Sequence, residues 1–162
     1  MKPSEIKCVM AKKAHFLSSS FLGLTWKGIV YCPNEKDVEL INRSDEIDSM
    51  LKSHETIHVR QAESMNDSWF RFYIRYIWDW ICNLPLITVS KNSPYYFISS
   101  ELEAYMHEDD FEYCQNGAVY GWKEYEKMSM KDKKKYAKGF KDNKYDLEVL
   151  GDFGKYVRKF IK

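Results

Sequence analysis

Apolar positions first cluster between Phe21 and Cys32, where Leu22, Leu24, Trp26, Ile29, Val30 and Tyr31 surround Gly23 and Gly28. Ring and β-branched side chains around glycines predict one bent strand or a hairpin, ended by Pro33 and Asn34. Beyond Ser44 the period becomes helical: Ser44 reads as an N-cap before Asp45 and Glu46, and Ile47, Met50, Leu51, Ile57, Ala62 and Met65 follow, which predicts a helix over about 45–66. Asn66 and Asp67 interrupt the pattern. A second helix, over about 68–83, is apolar nearly all round except for Arg71, Arg75 and Asp79 at i, i+4, i+8, so it is expected to be mostly buried. Pro85 and Asn92-Ser93-Pro94 mark a loop, and Ser99 or Ser100 then caps a third helix through Glu101 to about Tyr113. After Gly117 the pattern reads as short helices separated by Gly121, Gly139, Gly151 and Gly154, with no internal repeat.

At 162 residues the chain is expected to be a single domain with one core. Hydrophobic residues at 44% and aromatics at 16% exclude a disordered or collagen-like chain. Cys8, Cys32, Cys82 and Cys114 are far apart with no C-x-x-C pair, which suggests neither a zinc ribbon nor a dense disulfide framework and suits reduced thiols in the cytoplasm. The net charge of +1 hides an asymmetry, since residues 131–162 carry 11 basic and 5 acidic side chains. Such a tail usually forms a solvated face, so no nucleic-acid partner is expected, and peripheral contact with a membrane surface is the lesser alternative to a purely cytoplasmic protein. The segment Trp69 to Leu84 is short for a membrane span and carries three charges, which argues against a transmembrane protein.

The chemistry lies at His54-Glu55-Thr56-Ile57-His58, an H-E-x-x-H inside the first predicted helix. Histidines at i and i+4 share one face, so both imidazoles can reach a single tetrahedral zinc, with Glu55 beside the metal as general base toward water. A catalytic zinc takes a third protein ligand. Gln61 and Ser64 stand where the elongated form of the motif has its glycine and third histidine, so that ligand must come from a second helix. Glu101, Glu103 and His107 on the third helix are the candidates, Glu103 and His107 forming their own i, i+4 pair. Gln61 also lies near the histidine face, where an amide can brace a ligand.

With these residues the chain resembles the gluzincins, zinc metallopeptidases with H-E-x-x-H on one helix and a glutamate ligand on a later one. Glu101-Leu102-Glu103-Ala104 looks like their E-x-x-A segment. The string His54 to Gln61, the aromatic helix Trp69 to Trp80 and the segment Tyr96 to Tyr105 also look like a group of small uncharacterised bacterial proteins with H-E-x-x-H-x-x-Q and F-E-x-E-A-Y segments. The resemblance covers about residues 20–115 as a metallopeptidase-like core and leaves 116–162 as a helical basic extension. It implies a helix-dominated α+β, minimal zincin-like domain with a small strand element, zinc as cofactor, a peptide or protein substrate, and Glu101 as third ligand. Two positions depart from prenyl-protein-endopeptidase-like gluzincins: Tyr105 stands where they have an aspartate, which bears on how His54 or His58 is oriented, and Ser100 replaces a phenylalanine. Tyr105 and His107, with Gln61, remain candidates for supporting a ligand or stabilising an oxyanion. Two other readings stay open, a zinc-binding protein without turnover and a membrane-surface interaction protein.

Overall fold

A computed structural model describes residues 1–15, 24–142 and 152–161. The strand expectations for Phe21, Leu22 and Gly23, and the break at Gly151, lie outside them. The fold is α+β and helix-dominated, with one small sheet. It divides into two compact units, Met1–Trp69 with His107–Val119, and Phe70–Met106 with Tyr120–Lys162.

The first unit holds the sheet, formed by β1 (Met10–Lys13), β2 (Leu24–Trp26) and β3 (Ile29–Cys32) in the order β1-β3-β2. β2 and β3 are the arms of a hairpin, with Leu24 opposite Tyr31 and Trp26 opposite Ile29. Its two-residue turn needs positive φ at both positions, supplied by Lys27 at 51° and Gly28 at 82°. β1 pairs parallel to β3, Ala11 opposite Val30. The helix α1 (Glu35–Asn42) was not expected from the sequence; it closes the outer edge of β1, where the Asn42 amide accepts from the Ala11 N–H at 2.7 Å and donates to its carbonyl at 2.9 Å.

Helix α2 (Met50–Ser64) starts later than expected. Ser49 is the cap, its hydroxyl accepting from the Lys52 N–H, while Ser44 serves a separate turn by accepting from the Glu46 N–H at 3.0 Å. Every residue from Leu51 to Ala62 is buried. Arg60 of this helix donates to the Lys7 carbonyl at 2.7 Å and the Cys114 carbonyl at 2.8 Å, which ties the N-terminal segment and the 107–119 segment to α2.

The second unit contains nearly all of α3 (Trp69–Asn83), followed by α4 (Ser93–Tyr96), α5 (Ser99–His107), α6 (Trp122–Glu126), α7 (Met130–Asp142) and α8 (Asp152–Phe160). Its core centres on Phe153, whose ring lies 4.5 Å from Tyr96, 4.9 Å from Tyr105 and 5.2 Å from Phe140. Helix α5 stops at His107 and does not run on to Tyr113.

Helix α3 reverses the burial expected of it. Phe70, Ile74, Ile77, Trp78 and Ile81 are exposed, whereas Phe72 and Asn83 are buried and Asp79 is turned inward. The reason is polar: Asp79 accepts the Ser99 N–H at 2.6 Å at the start of α5, and Lys133 of α7 donates to Asn83 at 2.7 Å and lies 3.7 Å from Asp79. Burial lowers the Lys133 ammonium from its ordinary pKa, with the Asp79 charge opposing the shift. Buried polar groups need partners, and these fix which stripe of an almost wholly apolar helix faces inward. No described helix is long and apolar enough to cross a membrane.

Candidate metal centre

Helix geometry places His54 and His58 one turn apart on α2, both buried, with ring centroids 5.0 Å apart and nearly perpendicular. Each ring is braced through Nδ1. His54 Nδ1 lies 3.2 Å from Glu108 Oε2, and His58 Nδ1 lies 2.8 Å from Gln61 Oε1. Carboxylate and amide oxygens at Nδ1 suit the tautomer protonated there, which presents the Nε2 lone pair, the form in which histidine binds metals. Glu108 thus stands where an orienting carboxylate would, in place of Tyr105 and His107, which the sequence offered beside Gln61 for supporting a ligand.

Among the described residues, His54, His58 and Glu101 form a buried group whose ligand atoms all lie within 4.8 Å of one another. A tetrahedral zinc at 2.0–2.1 Å from each donor sets donors about 3.4 Å apart. Glu101 is 1% exposed, and Tyr76 Oη donates to its Oε1 at 2.6 Å. Burial, and then the Glu101 charge, push the Tyr76 phenol well above its ordinary pKa and Tyr96 up to about 12. Both phenols therefore remain protonated donors at neutral pH. A carboxylate buried to this degree is costly unless donors or a cation answer it, and two neutral imidazoles with one carboxylate are a donor set that suits a divalent cation such as zinc.

Glu55, the candidate proton carrier, accepts a hydrogen bond at Oε2 from Thr25 Oγ1 on β2. Burial, together with the Asp37 and Glu55 charges, raises the Cys32 thiol to about 12, so the neighbouring sulfur stays a thiol and competes for neither proton nor metal. The other sequence candidates go elsewhere. Glu103 is fully buried and accepts the Gly121 N–H at 2.5 Å. His107 stacks on Tyr113 with centroids 3.7 Å apart. Tyr105 packs against Tyr96 and Phe153, and its carbonyl accepts from Arg158 at 2.7 Å. Thr25, Tyr76 and Glu108 carry no signal in the sequence, because each meets its partner across 25 residues or more. Compared with models of protein families, with curated proteins and with solved structures, the chain matches none.

Proposed function

We propose that the chain is a zinc-dependent peptidase of the gluzincin kind, held together by His54, His58 and Glu101, with Glu55 as general base. The observation that carries this reading is the buried His54, His58, Glu101 group together with a glutamate in the motif position beside the first histidine. Zinc, when bound, supplies Lewis acidity that polarises a carbonyl and makes water nucleophilic near neutral pH. The chain's own residues do the rest. Glu108 and Gln61 hold the imidazoles in the tautomer that presents Nε2. Tyr76 donates to one Glu101 oxygen and so fixes the carboxylate that would serve as the anionic ligand. Thr25 takes one oxygen of Glu55 and leaves the second to accept the proton of water and return it to the leaving amine. The substrate is a peptide or protein.

The test is metal content followed by turnover. About one zinc per chain is expected, lost in His54→Ala and in His58→Ala, while Glu55→Gln keeps zinc and fold but cleaves no peptide. A wild type that holds zinc yet cleaves nothing in a broad peptide library refutes the peptidase reading and leaves a zinc-binding protein without turnover.

A further inference from the structure

The exposed face of α3 is an unusual surface. Phe70, Ile74, Ile77, Trp78 and Ile81 follow helical spacing down one side and are between 45% and 73% exposed. Together they present on the order of 500 Å² of apolar area, at the size where an exposed patch marks an interaction site. The stripe continues into the following turn through Ile87, itself 56% exposed. From 70 to 91 the acidic side chain is Asp79, and it is turned inward to Ser99 and Lys133, so the exposed ionic groups of this stretch are Arg71 and Lys91, one near each end. Among the described residues of this unit, eleven lysine and arginine side chains are exposed against four acidic ones.

We propose that this face docks the protein on an anionic lipid surface, with α3 lying in the plane of the interface. Aliphatic side chains with a tryptophan on one side and basic groups at the ends match the boundary between acyl chains and headgroups, where indole rings settle and lysine and arginine reach outward to phosphate. A helix of 15 residues is about 22 Å long, too short for a hydrocarbon core of about 30 Å, which leaves the in-plane position. Charge decides between occupants. A second copy would bring the basic ends of the stripe, on a unit with an excess of exposed lysine and arginine, against their like, whereas anionic headgroups complement them. This inference is independent of the peptidase reading.

The test uses the full chain in sedimentation with vesicles of phosphatidylcholine alone and of phosphatidylcholine mixed with phosphatidylglycerol. Partitioning is expected to be roughly tenfold stronger on the anionic vesicles at low salt and to weaken as salt rises. It should be accompanied by a blue shift of tryptophan emission and by quenching from brominated acyl chains. The doubly substituted Ile77→Ser, Trp78→Ser chain, altered at exposed positions only, should keep its near-ultraviolet dichroism in the absence of vesicles apart from the lost indole signal and bind about tenfold less. Equal partitioning of wild type and double variant overturns the proposal, as does equal binding to neutral and anionic vesicles. A wild-type dimer that the same two substitutions dissociate gives the face to a second copy, and binding to polyglutamate without binding to vesicles gives it to an acidic protein; either result overturns the lipid assignment.

Discussion

Glu108→Gln isolates what a buried carboxylate behind a histidine does for metal affinity. The substitution is nearly isosteric, and the new amide oxygen still accepts from His54 Nδ1, so orientation survives and only the charge is removed. Through the ring, a cation at Nε2 lies about 7 Å from that carboxylate, and at an effective dielectric near 20 the attraction of one negative charge to a divalent ion is about 5 kcal/mol. That figure is a ceiling, because the charge-free site regains part of it in lower desolvation. Orienting partners of this kind are typically worth 10–100-fold in metal affinity, about 1.4–2.7 kcal/mol. Glu108→Gln should therefore weaken zinc binding by 10–100-fold in competition with a chromogenic chelator at pH 8, and Glu108→Ala, which also removes the acceptor, should weaken it further. The contact itself supports this, since the two side chains meet at 3.2 Å with both more than nine-tenths buried. Zinc affinity within twofold of wild type in both variants would refute the role given to Glu108.

Two further outcomes test the fold that carries the site. Phe153→Ala removes the ring at the centre of the Tyr96, Tyr105 and Phe140 contacts, and a buried phenylalanine truncated in this way costs about 3–5 kcal/mol; urea unfolding followed by dichroism should show it, and a loss below about 1 kcal/mol contradicts the packing described. At the N-terminus, Ser4 donates to Asp67 from its backbone N–H at 2.8 Å and its hydroxyl at 2.7 Å, and these bonds hold the Asp67 carboxyl below its ordinary value of 3.8. A carboxyl lowered in the folded state stabilises it above the unfolded pKa and stops doing so as pH falls through the folded value, so the stability difference between wild type and Ser4→Ala should be present at pH 7 and vanish in acid. A difference that is the same at pH 7 and pH 2.5 rules this linkage out.

Residues that announce themselves in the sequence do so because one element contains all of their geometry. His54 and His58 are legible since a helix alone sets an i, i+4 pair on one face, whereas the sequence leaves a bent strand or a hairpin open around Gly23 and Gly28, and it is the positive φ of Lys27 and Gly28 that makes the hairpin. Glu101 becomes legible only through the family resemblance, because from helix geometry alone Glu103 and His107 compete with it. The strand β1 is hidden for a different reason: it buries only Ala11 of its four residues, and its partner Val30 is brought to it from 19 positions away.

The same reasoning explains α2 and α3. Ser44 and Ser49 both have the side chain of an N-cap, and the choice falls to Ser49 because Lys52 reaches back to the Ser44 carbonyl and Arg43 donates to Asp48 at 2.6 Å, which winds residues 43–48 into a turn of their own. For α3, hydrophobic periodicity cannot choose a face when apolar residues surround the helix. The choice rests on satisfying polar atoms, as Asp79 caps the start of α5 and shares Lys133 with Asn83, and these partners lie 20 to 54 residues further along the chain. Turning those groups inward leaves Phe70, Ile74, Ile77, Trp78 and Ile81 outside. With Trp80 also exposed, a helix that leaves six large apolar side chains outside while it turns a carboxylate and an amide inward to a buried lysine gives up hydrophobic stabilisation. That concession is offset in water by the polar network together with the buried Trp69 and Phe72, and docking on a lipid surface, as proposed, would bury the stripe as well.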